Sequence, residues 1–112
     1  MDLNILSNKL INALKNKAAE ILPPGSTLSL YGSRARGEAR ADSDWDIHIL
    51  IPGEEQLPLS LYDIYAWPFE MLGFEFNEIV NARFYSYAGW AKRKFLPFYK
   101  NVEKDKIVFY KN

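Results

Sequence analysis

Cysteine is missing from this chain of 112 residues, so it can build neither a disulfide framework nor a thiolate metal site. No apolar run approaches the ~20 residues that a bilayer-spanning helix requires. The opening residues, Met1-Asp2-Leu3-Asn4, lack the basic stretch and apolar core of a secretory leader. These absences together lead to the expectation of a cytoplasmic protein with no membrane segment. Net charge is absent too: 14 Lys and Arg stand against 14 Asp and Glu, which speaks against a general nucleic-acid binder. What is present, 48% hydrophobic and 25% charged residues, is the balance of a folded chain rather than a disordered one. The length predicts a single domain over residues 1–112, with a thin core.

The zero charge conceals an asymmetry. Residues 1–82 hold six basic and twelve acidic residues, and residues 83–112 hold eight basic and two acidic. The second segment also carries nine of the seventeen aromatics. Such a basic, aromatic segment has three readings: completion of a small core, a nucleic-acid patch, or a protein interface. The neutral total disfavours the nucleic-acid patch, so we expect core for most of these aromatics and an interface for the remainder.

Leu3, Leu6, Leu10, Leu14, Ala18 and Ile21 recur at helical spacing, and Pro23-Pro24-Gly25 ends the helix they predict over 3–21. Thr27 to Tyr31 alternates as a strand, Gly32-Ser33 turns, and Arg34 to Glu38 starts a short helix. The second strand, Asp44 to Ile51, puts Ile47, Ile49 and Ile51 on one face and Asp44, Asp46 and His48 on the other. Leu57 to Leu72 is predicted helical with a break at Pro68. A third strand follows from Phe74 to Val80 after a stop at Gly73. Two further helices are expected over Ala82 to Lys94 and Phe98 to Glu103, and Ile107 to Tyr110 is expected either to add a last strand or to lie against the core.

Chemistry concentrates in Gly32-Ser33-Arg34-Ala35-Arg36-Gly37 and, just downstream, Ser43-Asp44-Trp45-Asp46-Ile47. A Gly-Ser turn between a strand and a helix offers backbone N–H groups and a hydroxyl to a phosphate. Aspartates at i and i+2 on a strand share a face, with Cα atoms roughly 6–7 Å apart. Bare, such a pair is unfavourable; a divalent cation between carboxylates and phosphates makes it favourable. The other residues have plainer readings. Asp42 reads as a loop residue, His48 as a bystander, and Trp45 as core. Arg34 and Arg36 divide between phosphate contacts and salt bridges to the acidic body.

Gly32-Ser33, ten residues, then Asp44-x-Asp46 resembles the signature of the DNA polymerase beta-like nucleotidyltransferase superfamily. The fuller run over residues 32–47 is similar to its minimal nucleotidyltransferase family, as are Phe98 to Val102 and Ile107 to Tyr110 near the end. The resemblance implies a small α/β fold, a short mixed sheet with helices packed mainly on one face. It implies that Gly32 and Ser33 hold the triphosphate of ATP, with Arg34 or Arg36 on phosphate, and that Asp44 and Asp46 bind Mg²⁺. It also implies a third catalytic carboxylate from the next strand, with Glu78 the nearest fit and Glu75 the alternative. Members of the family resemble antitoxins of all-helical HEPN-domain ribonucleases. The expected activity is transfer of AMP from ATP to a hydroxyl, a tyrosine of that toxin. The rival expectation is a nucleotide-binding module that neutralises its partner sterically. A homo-oligomer is compatible with either.

Overall fold

The computed structural model describes residues 3–112, and side chains from Asn8 onward. The periodic positions Leu3 and Leu6 therefore lie outside the described side chains. Helix α1 runs Leu3–Ile21 and buries Leu10, Leu14 and Ala18 completely, which is the stripe its spacing predicts. Strand β1 (Thr27–Tyr31), the one-turn helix α2 (Ser33–Arg36) and strand β2 (Trp45–Ile51) follow. A 3-10 turn at Leu59–Leu61 leads into α3 (Tyr62–Tyr65) and α4 (Trp67–Glu75). The expected break falls at Ala66, and Pro68 sits in the first turn of α4, where a missing N–H costs nothing.

The next segment differs from the sequence expectation. The third strand, β3, is Val80–Ser86, not Phe74 to Val80. Gly73 does not stop α4 but lies buried inside it. A Cβ there would come 2.7 Å from Val80 Cγ2, so the residue is glycine to let the helix press on β3. The stop comes from Asn77, in the left-handed region at φ 57. Around it Glu78 N–H donates to Gly73 O (2.9 Å) and Asn77 N–H to Phe74 O (3.1 Å), a Schellman cap. The alternation of Phe74, Phe76 and Glu78 mimics a strand but belongs to a helix end and its cap. The helix expected over Ala82 to Lys94 is correspondingly reduced to α5 (Tyr87–Ala91), capped by the Ser86 hydroxyl, which accepts from Gly89 N–H. Helix α6 (Pro97–Asp105) and strand β4 (Ile107–Lys111) close the chain much as expected.

The four strands form one mixed sheet in the order β3-β2-β1-β4, with β2 parallel to β3 and antiparallel to β1. Helices α1 and α4 cover one face through Leu10, Leu14, Phe69, Ile47 and Ile49. On the other face α5 and α6 cover one half only, around Leu50, Trp90 and Val102 with Tyr31, Tyr85, Phe98 and Tyr99. The aromatic segment thus builds a second core, and leaves Phe95, Ile107 and Val108 exposed. Among the described residues no helix is long and apolar enough to cross a membrane.

His48 lies entirely inside the second core, its ring 4.2 Å from that of Trp90 and 5.5 Å from that of Tyr85. Neither ring nitrogen has a hydrogen-bond partner among the described residues. Burial, and then the positive charge of Lys106, push its pKa down to about 4, against the weaker opposite pull of Glu103. The folded state therefore holds this imidazole neutral while the unfolded chain binds a proton near pH 6.5. The stability so gained is present above the unfolded pKa and is lost as pH falls from 6.5 towards 4. Urea titrations without divalent cations should show a loss of about 2 kcal/mol between pH 7.5 and pH 5 from this group. His48→Leu should flatten that slope, and an unchanged slope would move the titration elsewhere.

Candidate active site

Strand β2 has only buried residues from Ile47 to Ile51, and its opening residues emerge beside the turn that follows β1. This geometry sets Asp46 opposite Tyr31 in register and brings Gly32 against it. Gly32 has φ 78 and ψ −158, a region open essentially to glycine alone. A Cβ on Gly32 would sit 2.6 Å from Asp46 Oδ2, so the glycine is required by both conformation and space. Gly32 is the N-cap of α2 and Ser33 its first residue, so Ser33 is not a capping side chain. A helix of four residues sums little dipole; the turn instead offers first-turn N–H groups, which have no intrahelical acceptor, and the Ser33 hydroxyl.

Asp44 is exposed and Asp46 half-buried, and they face the same side of the sheet. Neither forms an ion pair with a Lys or Arg among the described residues. Their neighbour is neutral: Asn81 Nδ2 donates to Asp44 Oδ2 (3.0 Å) and to Asp46 Oδ1 (3.3 Å). Asn81 reaches them because β3 pairs with β2 in a register that sets Asn81 beside Asp46. Sequence reasoning passed over Asn81, since it placed residues 82–94 in a helix and ended the strand at Val80.

Glu78 does not lie on the third strand but in the cap that precedes it, where its carboxylate is 3.8 Å from the Arg34 guanidinium. Glu75 ends α4 and is exposed. Among the described residues no three His, Asp or Glu side chains converge as a metal-binding group. The structure therefore brings Gly32, Ser33, Asp44 and Asp46 together, and places Glu78 and Glu75 outside that cluster. Two carboxylates still fit Mg²⁺, which binds through one or two of them together with waters and substrate phosphates.

Arg34 and Arg36 are both engaged. Arg34 donates to the carbonyls of Ser43 (2.8 Å), Ala41 (3.3 Å) and Arg40 (3.4 Å), and its guanidinium lies 4.1 Å from the Trp45 ring centre. It clamps the loop that delivers Asp44 and roofs the buried indole. Arg36 pairs with Glu38 and with Asp105, each at 2.6 Å, and so ties α2 to α6. The cation of the cleft is Arg83, which lines it with Tyr31, Asp46, Glu70, Asn81 and Phe98. Arg83 has no carboxylate partner among the described residues and rests over the Phe98 ring at 5.2 Å. Burial, and then the charge of Asp46, push the Tyr31 phenol up to about 12, so it remains a hydrogen-bond donor. Glu70 spans the rim, accepting from Ala82 N–H (3.1 Å) and from the Tyr62 hydroxyl.

Replacing the neutral neighbour gives a direct reading of the pair. Asn81→Asp sets a third carboxylate against the first two, so without divalent cations the protein should lose about 1–2 kcal/mol. With Mg²⁺ the same variant should regain more melting temperature than the wild type does. Equal Mg²⁺ responses in a thermal melt would place the cation away from Asp44 and Asp46.

Known proteins bear on this geometry. The family model of the nucleotidyltransferase domain matches residues 8–111. Among solved structures, a crystal structure of a toxin–antitoxin with AMP-PNP superposes with a TM-score of 0.59 at 16% identity, covering 91% of this chain and 73% of that one. A proposed nucleotidyltransferase from Sulfolobus solfataricus superposes with a TM-score of 0.54 at 23% identity, covering 93% and 79%. No curated protein matches. At these identities the likeness of structure carries the fold, while the family match spans the Gly-Ser turn, the aspartate pair and all four strands. The chain belongs to the nucleotidyltransferase-domain family.

Proposed function

We propose that the chain transfers AMP from Mg-ATP to a hydroxyl of a partner protein, a tyrosine of a HEPN-type toxin, and so acts as its antitoxin. The observation that carries this reading is the pair Asp44 and Asp46, joined by Asn81 and paired with no Lys or Arg among the described residues. Repulsion stored in such a pair is relieved by a ligand that brings positive charge with it. The similar fold of the toxin–antitoxin structure with AMP-PNP supports both the nucleotide and the biological setting.

Gly32 and Ser33 receive the β- and γ-phosphates through N–H groups and the Ser33 hydroxyl. Mg²⁺, when bound, neutralises the phosphate oxygens and activates the attacking oxygen. The acceptor hydroxyl oxygen forms a bond to the α-phosphorus, and the bond from that phosphorus to the bridging oxygen breaks. Pyrophosphate leaves, and the hydroxyl proton passes to water or to an aspartate. Arg83 faces the charge that develops on the leaving side, and the Tyr31 hydroxyl donates to the same cleft.

Asn81 favours a second reading, a nucleotide-binding module that neutralises its partner by contact. An amide stands where it cannot accept a proton or hold a second metal ion strongly. The two readings separate on activity: an enzyme loses neutralisation when Asp44 and Asp46 become Asn, and a steric inhibitor keeps it.

Mg-ATP should raise the melting temperature by mass action, and Asp44→Asn with Asp46→Asn should remove that rise. Ser33→Ala should weaken nucleotide binding and leave the fold intact. Arg83→Gln should weaken Mg-ATP binding by about tenfold, the loss of one charge-assisted contact. Arg34→Gln should instead lower stability by about 2 kcal/mol through its lost carbonyl contacts. Calorimetric titration of the four variants checks the assignment, and reversed behaviour of Arg34 and Arg83 would overturn it.

A further inference from the structure

The acceptor must come to Asp44 and Asp46 from somewhere, and a second depression adjoins their cleft. It is an open groove of about 720 Å³ between β3 and the segment 55–62. Its floor is Ala82 to Ser86, its walls include Leu57, Leu59 and Tyr62, and its far bank carries Lys92 and Arg93. It shares Ala82 and Arg83 with the cleft that contains Asp46, so the two depressions are continuous along β3.

Three observations define what fits. First, β3 is the edge of the sheet. Ala82 N–H points away from β2, since it donates to Glu70. Residues of the same parity point the same way, so the backbone of Phe84 addresses the groove. Second, five residues of β3 offer about 16 Å of edge, room for one short extended segment. Third, the groove is basic on balance in an acidic surrounding: Arg83, Lys92 and Arg93 line it against Glu55, which pairs with Lys92 at 2.8 Å. No Lys or Arg occurs between Arg40 and Arg83, while that interval holds nine Asp and Glu. Arg83 and Arg93 nonetheless lack carboxylate partners among the described residues. Each lies over an aromatic ring instead, Phe98 at 5.2 Å and Tyr85 at 4.8 Å. Leu59, 90% exposed, adds an apolar contact on the opposite wall.

The geometry points to this groove as the acceptor-docking site: an extended, acidic segment of a protein adds to the edge of β3 and presents its hydroxyl side chain at Asp44 and Asp46. The inference rests on the nucleotidyl-transfer reading for the hydroxyl, but not for the docking itself. Backbone pairing to Phe84 supplies sequence-tolerant affinity, and Arg93 with Lys92 on the far bank selects acidic flanks. Self-association through the groove is disfavoured, because the strand that a second copy would offer carries Arg83.

The test uses the full-length protein and an array of tyrosine-centred nonapeptides whose flanks run from all-Glu to all-Lys. Binding is read by fluorescence anisotropy, with no nucleotide present. Wild type should prefer acidic flanks by at least about tenfold over basic ones. Arg93→Glu with Lys92→Glu should reverse the preference, and Leu59→Asp should weaken all peptides. N-methylation of alternate peptide bonds should abolish binding if the backbone pairs with β3. A flat or basic preference in wild type, or one unmoved by the charge reversal, overturns the proposal. Displacement of bound peptide by Mg-ATP would give the groove to the nucleotide, and concentration-dependent dimerisation lost in Leu59→Asp would give it to a second copy. Either result also overturns the proposal. Failure of the enzymatic reading is distinct: peptides then bind as expected, but Mg-ATP transfers no AMP to their tyrosine.

Discussion

Two like charges two residues apart on one strand repel, and here the protein keeps them together. Asp44 and Asp46 are held by the register of β2 between β1 and β3, and the core residues Ile47, Ile49 and Ile51 hold that register. A slip by one residue would bury the carboxylates and expose the isoleucines, so hydrophobic burial fixes the electrostatic frustration in place. The surrounding features follow from it. Gly32 must lack a side chain to leave room for Asp46, and Asn81 is an amide that can donate to both carboxylates without adding charge. Arg34 stays out of the cleft and instead secures the loop that brings Asp44 to its place.

The two faces of the sheet divide the work. The face under α1 and α4 is a plain apolar core and supplies stability. The opposite face is half covered by aromatics and half open at the aspartates. His48 marks the border between the halves. It shares the carboxylates' face of β2 yet is wholly buried, and its imidazole stays neutral among Trp90, Tyr85 and Tyr31. The basic segment takes part in both tasks: Trp90, Phe98 and Val102 pack, while Arg83 and Arg93 remain available at the surface.

The sequence carried the site's centre more clearly than its rim. Gly32, Ser33, Asp44 and Asp46 lie within fifteen residues, on two strands whose alternation is plain, so their convergence follows from local rules. Asn81 and Arg83 belong to the site through strand pairing across some 35 residues, which no local pattern reveals. The error there has a physical cause. Gly73 has two uses, ending a helix or admitting a close neighbour, and only Val80 packed against it decides between them. Asn77 was the available signal, since Asn commonly takes the left-handed position after a helix. For Arg34 and Arg36, charge alone does not separate a phosphate ligand from a structural clamp; the structure adds carbonyl and carboxylate partners at 2.6–2.8 Å.

The pairing of β4 with β1 has a consequence in time. Ser29 meets Val108 across the sheet, and Ser26 and Asn112 bond to one another. At about 5–20 residues per second of ribosomal synthesis, roughly 4–16 s separate the emergence of the two strands. Until then the outer edge of β1 has no neighbour, and α2 lacks its anchor at Asp105. Such long-range closure slows folding and leaves a nascent edge open to stray pairing. The Gly32-Ser33 turn is thus translated well before the segment that fixes it.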